Sequence, residues 1–283
     1  MKTIIISLAV LLCSCGDDDL PKYELLDRFR VLAIQANTPE VSPGATVTLT
    51  PYLSDPSGQG RAIQYSVDGC VDLGVNLGAP PTCEGNPSRV PLVATTSTAG
   101  PGTAPHYTGA VSAVTLTVPQ AALIFANPAS GGARSAVDQY NGVNYLVVFR
   151  YQAGDEVLQT FKRIIVSRRS VANANPVLTE IQFDGVSEAG ASAPQTKTTL
   201  KSVVPAGSTE TYSYQTTLGS LSQRSEELLV TWYASQGELL RTRTETEETN
   251  EYTPNATPGS SSTTFVAVLR DDRGGLAIRI VTK

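Results

Sequence analysis

The stretch Tyr145-Leu146-Val147-Val148-Phe149-Arg150-Tyr151 is followed by a Gly154-Asp155 turn and by a second, largely apolar stretch over residues 157–166. β-branched and aromatic residues favour strands, and a glycine-aspartate pair between two strands favours a tight turn. The same plan recurs near the end of the chain, where residues 265–281 form two apolar stretches around a turn at residues 271–275. The sequence therefore predicts two units, each closed by an antiparallel hairpin.

Shorter stretches before and between the two hairpins also have the pattern of strands. Thr46-Val47-Thr48-Leu49-Thr50 alternates with period two, which predicts that Val47 and Leu49 face inward and the threonines outward. Further strands are predicted at residues 29–34, 62–67, 114–118, 177–183, 210–214 and 228–234. No stretch has a sustained helical period, and one short helical turn is predicted after Pro119. We therefore expect an all-β chain.

The boundary between the two units is predicted at residues 170–176, where asparagines and a proline interrupt the apolar pattern. This boundary assigns residues 25–170 to the first unit and residues 177–283 to the second.

The first unit is longer than the second. The interval from Gly44 to Gly154 is 110 residues, whereas the corresponding interval from Gly207 to Gly274 is 67 residues. The first unit therefore carries about 43 additional residues, which we place in a long loop insertion at about residues 68–140.

The start of the chain has the layout of a secretory signal. Lys2 precedes an apolar run over residues 4–12, which is about half the ~20 residues that a membrane-spanning helix needs. The motif Leu12-Cys13-Ser14-Cys15 that follows resembles the lipobox of bacterial lipoproteins. This resemblance implies that residues 1–14 are a cleaved signal peptide, that the Cys15 thiol carries a diacylglycerol and that its amino group carries a further acyl chain such as palmitate. An ordinary cleaved signal is the alternative.

The lipobox resemblance also implies a location and a partner. Two or more acyl chains give stable anchoring, at about 0.8 kcal/mol per buried methylene, so the lipid bilayer would be the partner held through Cys15. Residues 15–24, which include three aspartates, are predicted to form a flexible tether. Gly16 follows the modified cysteine, and the absence of an aspartate there favours the outer membrane over the inner membrane. We expect a lipid-anchored protein of the cell envelope.

Cys70 and Cys83 are the cysteines that remain once the signal and its modified cysteine are set aside. An oxidising envelope and a separation of 13 residues favour a disulfide between them. Such a bond would stabilise the fold by about 3 kcal/mol in the loop-entropy model. Two unpaired thiols are the alternative.

The two units resemble tandem immunoglobulin-like domains of bacteria. Trp232 lies where such sandwiches bury an aromatic residue on their third strand, Tyr65 is its counterpart in the first unit, and residues 141–145 resemble a tyrosine corner. The resemblance implies two tandem antiparallel β-sandwiches, the first with a long insertion. Cys70 and Cys83 are too close in the sequence to be the inter-sheet disulfide of antibody domains. The chain is also similar to uncharacterised two-domain envelope lipoproteins of predatory and gliding bacteria, which imply no defined activity.

Composition and motifs argue against several classes of function. Without residues 1–14 the chain has 20 basic and 26 acidic residues, a net charge of −6 with no basic stripe, which argues against nucleic acid as a partner. His106 is the only histidine and no nucleophile-elbow motif lies near it, so we predict no catalytic residue, no metal site and no cofactor. The segment Asp55-Pro56-Ser57-Gly58 is predicted to be a turn, with a calcium-binding turn as the alternative.

We therefore expect a non-enzymatic, membrane-anchored envelope lipoprotein whose β-sandwich domains serve binding, adhesion or structural spacing, with a protein or glycan partner in the envelope. One alternative is an accessory subunit of a larger envelope assembly. Another is a carbohydrate-active hydrolase that uses two carboxylates of the insertion at about residues 68–140, which would have to lie within about 10 Å of each other.

Overall fold

A computed structural model describes residues 22–56, 58, 60–74, 80–99, 107–127, 131–255 and 262–283 of the chain. The predicted signal peptide, the predicted lipidation site at Cys15 and the single histidine, His106, lie outside these residues. Within the described ranges, no helix combines the length and the apolar character that crossing a bilayer would require.

The first unit consists of strands and two short helices. In chain order these are β1 (Arg30–Ala36), β2 (Glu40–Val41), β3 (Thr46–Asp55), β4 (Ile63–Val71), β5 (Val90–Ala99), β6 (Tyr107–Ala110), β7 (Val114–Thr117), α1 (Ala121–Ile124), α2 (Ala136–Asn141), β8 (Val143–Ala153) and β9 (Glu156–Val166). Strands β8 and β9 form the predicted closing hairpin, in which Val143 pairs with Val166 and Ala153 pairs with Glu156.

The strands of the first unit form two sheets. In one sheet, β3 pairs with β1 on one edge and with β7 and β6 in succession on the other, β7 along residues 46–49 and β6 along residues 52–55. The other sheet has the strand order β2-β9-β8-β4-β5. Because β2 pairs in parallel with β9, the chain crosses from the first sheet to the second between β1 and β2.

The core of the first unit is built from the inward faces of these strands. Val47 and Leu49 of β3 are fully buried, as their alternation predicts. They belong to the same core as Tyr65, Phe149 and Tyr151, and the Tyr151 ring lies 6.0 Å from the Tyr65 ring and 6.1 Å from the Phe149 ring. Each such side chain stabilises the unit by about 1.5–3 kcal/mol through its removal from water.

The second unit consists of short strands. They are β10 (Glu180–Phe183), β11 (Val186–Ser187), β12 (Thr198–Val203), β13 (Thr211–Gln215), β14 (Leu221–Ser225), β15 (Leu229–Ala234), β16 (Glu238–Leu239), β17 (Arg243–Glu245), β18 (Thr249–Thr253), β19 (Thr264–Arg270) and β20 (Leu276–Thr282). One sheet has the order β11-β10-β12-β18-β16 and the other has the order β17-β15-β19-β20. Strands β13 and β14 form a separate hairpin, and β19 and β20 form the predicted closing hairpin.

Aromatic side chains fill the core of the second unit. Trp232 is fully buried, and its indole N–H donates to the Thr244 hydroxyl at 2.8 Å. The Phe265 ring makes edge contacts with Phe183 at 5.2 Å and with Tyr252 at 4.8 Å. Such edge-to-face pairs contribute about 0.5–1.5 kcal/mol beyond the area that they bury.

The strand order confirms the predicted fold class, since both units are antiparallel β-sandwiches of the immunoglobulin-like kind. In each unit the first, second and fifth strands of that fold lie in one sheet, as β1, β3 and β6–β7 in the first unit and as β10, β12 and β18 in the second. The third, sixth and seventh lie in the opposite sheet, as β4, β8 and β9 and as β15, β19 and β20. Tyr65 and Trp232 are both buried on the third strand.

Three local features differ from the sequence-based expectations. The region of about residues 68–140 contains β5, β6, β7, α1 and α2, of which the sequence predicted only β7 and the turn of α1. Residues 210–214, predicted as a sandwich strand, lie largely in β13, which is outside both sandwich sheets. Tyr145 is buried in β8 with its hydroxyl directed at Gly69 of the neighbouring strand β4, so it contacts its own sheet.

Candidate functional site: the junction between the two sandwiches

The predicted disulfide is present and anchors a loop to the first unit. Cys70 at the end of β4 is bonded to Cys83, with their Cα atoms 5.7 Å apart. Both cysteines are buried against Leu146 and Val148 of β8. The Asn86 side chain donates to the carbonyl of Val71 at 2.9 Å, which holds the same loop along β4.

Two carboxylates of the predicted insertion, Asp68 and Asp72, are engaged by arginines. Asp68 and Glu84 line one cleft of about 420 Å³ beside the disulfide. Both oxygens of Asp68 accept from the Arg89 guanidinium, at 3.0 and 2.9 Å. Asp72 accepts from Arg163 at 2.6 Å. The two aspartates therefore serve as ion-pair partners, and neither is free to act as the second member of a glycosidase pair while it is so held.

Asp55, the aspartate of the alternative calcium-binding turn, is likewise occupied. Its two carboxylate oxygens each accept from Arg61 at 2.9 Å, and the Asp55 side chain is buried. The same guanidinium bonds to Glu156, the first residue of β9. No cluster of three or more potential metal ligands occurs in the part of the chain that the structure describes.

The largest feature that sequence reasoning missed is the contact between the two units, which has an apolar half and an ionic half. The apolar half, called here the apolar patch, consists of Leu26, Leu32 and Ala33 packed against Val266, Val268 and Leu276. These residues are buried on the outer face of the β15–β19–β20 sheet and along β1. Burial of each leucine or valine there contributes about 1.5–3 kcal/mol.

Backbone hydrogen bonds reinforce the apolar patch. The Leu26 N–H donates to the Ala234 carbonyl at 2.8 Å, and the Ala234 N–H donates to the Glu24 carbonyl at 2.9 Å. The segment before β1 thus adds to β15 of the second unit as a short parallel bridge. In the linker, the Asn175 side chain donates to the Ala36 carbonyl at 2.7 Å and accepts from the Leu276 N–H at 2.9 Å.

The ionic half of the junction is centred on Arg273, in the turn between β19 and β20. Its guanidinium donates to Glu40 of β2 at 2.6 Å and to Glu226 at 3.1 Å. Glu40 is completely buried and also accepts from the Ser167 hydroxyl at 2.5 Å and from the Asn173 N–H at 3.0 Å. Because Glu40 and Arg273 are 233 positions apart, this buried pair ties the first unit directly to the second.

The turn that carries Arg273 is held by Asp271. One Asp271 oxygen accepts from the N–H groups of Arg273 and Gly275 at 2.9 and 2.6 Å. The other accepts from the Asn173 side chain of the linker at 3.0 Å. The predicted hairpin turn at residues 271–275 is therefore present, and it also holds the linker in place.

A second arginine and the β13–β14 hairpin complete the ionic half. Arg169 lies 3.5 Å from Glu40, and the guanidiniums of Arg169 and Arg273 lie 5.4 and 4.3 Å from the centre of the Tyr212 ring on β13. The Asn141 side chain at the end of α2 both donates to and accepts from the backbone of Gln215, at 2.8 Å in each case. The hairpin of the second unit is thus fastened to the first. We refer to Glu40, Arg169, Glu226, Asp271 and Arg273 as the ion cluster.

The ion cluster contains more carboxylates than guanidiniums, and this affects Glu226. Burial raises the pKa of Glu226 to about 7, and the neighbouring carboxylates of Asp271 and Glu210 contribute to the increase. The Glu210 N–H and the Arg273 guanidinium oppose it. Glu226 therefore changes its charge near neutral pH, inside the contact between the two units.

Lys162 of β9 is a further titratable group at this contact. Its ammonium donates to the Gly274 carbonyl at 2.5 Å. Burial lowers the pKa of Lys162 to about 8, although the Asp271 carboxylate favours the charged form. The junction thus has one acid and one base whose pKa values are shifted towards neutrality.

Comparison with known proteins adds the following. No family model and no curated protein matches the chain. Among solved structures, red sea bream transglutaminase is 11% identical with a TM-score of 0.27, over 90% of this chain and 31% of that protein. The D0-D1 domain of intimin is 12% identical with a TM-score of 0.20, over 89% of this chain and 97% of that one. An Escherichia coli alpha-2-macroglobulin activated by porcine elastase is 13% identical with a TM-score of 0.27, over 90% of this chain and 22% of that protein.

This chain therefore spans less than a third of the transglutaminase and less than a quarter of the alpha-2-macroglobulin. The assignment of the fold rests on the strand order of the two units.

Proposed function

We propose that the chain is a non-enzymatic lipoprotein of the bacterial cell envelope, anchored through acylated Cys15, whose two sandwiches act as one rigid spacer that presents loops to a protein or glycan partner. The observation that carries the anchoring is the motif Leu12-Cys13-Ser14-Cys15 after a short apolar run. The outer membrane is the favoured location because Gly16 follows the cysteine.

The junction supports the role of a rigid spacer. Two domains joined by a simple linker would move independently, whereas an extensive buried interface favours a fixed arrangement. Here the apolar patch, the parallel bridge to Ala234 and the buried Glu40–Arg273 pair all cross between the units. A membrane-anchored body of this kind would hold its far end at a defined distance from the lipid.

The ion pairs of the aspartates support a role in binding instead of catalysis. Asp55, Asp68 and Asp72 are each held by an arginine, so their charges contribute to the fold. The disulfide and the Arg89 pair brace the loop at residues 80–90, which makes it suitable for recognition.

The anchoring is tested by expression of the full chain in a lipidating bacterium. Mass spectrometry of the mature N-terminal peptide should find a triacylated Cys15 as the first residue, and the protein should enter the detergent phase on Triton X-114 separation. Cys15→Ala should abolish both results. Cys13→Ala is the matched control, since it removes a neighbouring thiol and should leave the modification in place. A mature chain with an unmodified N-terminus would contradict the proposal.

A further inference from the structure

A cleft of about 690 Å³ lies where the first described residues cross from the second sandwich to the first. One wall is the segment over residues 22–31, which is fixed by its bridge to Ala234 of β15. The facing wall is formed by residues of β15 and β17, and Leu158 of β9 contributes to the lining. The cleft is thus built by both sandwiches and by the segment that follows the predicted tether.

Cationic side chains predominate among the charged residues of the cleft. Those that line it are Lys22, Arg28, Arg30 and Arg243. Among the described residues, one carboxylate, that of Glu24, lines the cleft. Asp27 and Glu238, which bind three of the cations, bring the local balance to four positive charges against three negative ones. This local excess contrasts with the net charge of −5 of the whole chain.

Arg30 and Arg243 differ in how far their donors are already used, since the two Nη atoms of Arg30 donate to the Tyr23 carbonyl and to Asp27. The Nε of Arg30 is buried and has no partner among the residues that the structure describes. Burial is also the main cause that lowers the pKa of Arg30, so a nearby anion would relieve an energetic cost. Arg243 on the facing strand β17 forms no ion pair with any described residue.

Half of the uncharged residues of the lining are aromatic. Tyr23 is 81% exposed at the rim, while Phe29 and Tyr233 lie further in. Tyrosine and arginine together are typical of surfaces that meet the boundary between water and lipid, because each has an apolar body and a polar end. The cleft therefore combines an anion-binding edge with an amphipathic rim.

We propose that this cleft binds the phosphate of an anionic phospholipid headgroup, so that the folded body touches the membrane to which it is tethered. Guanidinium groups pair with phosphate through two parallel N–H donors, which Arg243 can offer, while Arg30 on the opposite wall contributes its positive charge. The choice of a lipid as the source of phosphate rests on the proposed anchoring. Lys22 is seven residues after Cys15, so the cleft would lie within about 25 Å of the acyl chains.

The test uses the full chain in a neutral detergent and the water-soluble lipid dihexanoyl phosphatidylglycerol. Isothermal titration calorimetry serves as the readout, because the side chain of Trp232, the only tryptophan, is fully buried in the core of the second unit. Phosphatidylglycerol should give a saturable response, and dihexanoyl phosphatidylcholine should give none. Arg243→Gln should weaken binding about tenfold. Arg150→Gln, which removes an exposed charge on β8 outside the lining of the cleft, should leave binding unchanged.

Several outcomes would overturn the proposal. These are an equal response to phosphatidylcholine, or an Arg243→Gln variant that binds as tightly as the wild type. A response to inorganic phosphate at the same concentrations as to phosphatidylglycerol would make a free anion the ligand. If phosphatidylglycerol bound only after Asp17, Asp18 and Asp19 were changed to asparagine, these aspartates would be the occupant of the cleft in the wild-type chain.

The proposed anchoring through Cys15 and the proposed headgroup binding in the cleft can be disproved independently of each other. An unmodified Cys15 with intact phosphatidylglycerol binding would remove the anchor and keep the cleft as a headgroup site. A triacylated Cys15 without any lipid response would keep the anchor and remove the headgroup site.

Discussion

The apolar patch and the ion cluster join the same two sandwiches by opposite means. The apolar patch gains stability in proportion to the area that it buries, without any requirement for a particular partner. The ion cluster places charged groups such as Glu40 and Arg273 where water is excluded, so each charge depends on its partners. The apolar patch therefore holds the two units together, whereas the ion cluster defines their register and makes the contact sensitive to pH.

The largest effect is expected from the removal of one charge of the ion cluster. Arg273→Ala removes the closer of the two counter-charges of buried Glu40 and leaves Arg169 at 3.5 Å, so the free energy of unfolding should fall by about 4 kcal/mol. Urea denaturation followed by Trp232 fluorescence measures it. Arg150→Ala, which removes an exposed arginine of β8, should change stability by less than about 0.5 kcal/mol. Equal effects of the two substitutions would mean that the cluster does not stabilise the junction.

Truncation of the apolar patch should have the next largest effect. Leu32→Ala removes a buried side chain that faces the second unit, and we expect a loss of about 3 kcal/mol in the free energy of unfolding. Leu218→Ala is the matched control because Leu218 is 93% exposed at the tip of the β13–β14 hairpin. The same urea titration should show no more than about 0.5 kcal/mol for this control. A Leu32→Ala protein as stable as the control would contradict the role of the patch.

A change of pH should have a smaller effect on the free energy of unfolding. This effect distinguishes the two halves of the junction, because the titrating group, Glu226, belongs to the ion cluster. Burial raises the pKa of Glu226 from 4.5 to about 7 in the folded chain. A carboxyl of this kind stabilises the fold most fully below pH 4.5, and its contribution is lost as the pH rises to about 7. Relative to Glu226→Gln, the wild type should therefore lose roughly 2–3 kcal/mol of unfolding free energy between these two pH values.

The matched control for the pH experiment is the neighbouring residue. Glu227 is exposed and pairs with Arg224 at the surface, so Glu227→Gln should keep the pH dependence of the wild type. If Glu226→Gln and the wild type follow the same curve, Glu226 does not titrate in this window.

The smallest effect is expected from salt. Exposed ion pairs are screened strongly at high ionic strength, whereas buried pairs are screened much less. The stability difference between wild type and Arg273→Ala should therefore change by less than about 0.5 kcal/mol between 0.1 and 1 M NaCl. Urea titrations at the two salt concentrations measure this change. A large decrease at high salt would place the pair in contact with solvent.

Local sequence patterns were sufficient for the elements that carry the fold. The alternation in β3 predicted a strand with one buried face, because the side-chain period of a strand is two residues, and the continuous apolar runs of β8 and β19 predicted strands buried on both faces. The closing hairpins and the Cys70–Cys83 bond were also predicted correctly. By contrast, residues 94–99 of β5 are alanine, threonine and serine without apolar alternation, so pairing with β4 supplies the strand that the pattern could not indicate.

The junction could not be predicted from the sequence. Glu40 and Arg273 look like ordinary surface charges when each is considered with its neighbours in the chain. Their burial depends on how two separate sandwiches meet, which is a property of the whole fold. Asn173 and Asn175 were assigned to a linker for the same reason, and only the packed structure reveals that their side chains join the units.

The bridge from residues 24–26 to Ala234 has a consequence for biogenesis. The segment at residues 24–26 cannot complete its backbone hydrogen bonds until β15 has been synthesised, since the Leu26 N–H and the Glu24 carbonyl bond to Ala234. During synthesis this segment therefore emerges early and pairs late. A polypeptide stalled before position 234 would leave Leu26 without its partners and would be a natural substrate for holding chaperones and proteases.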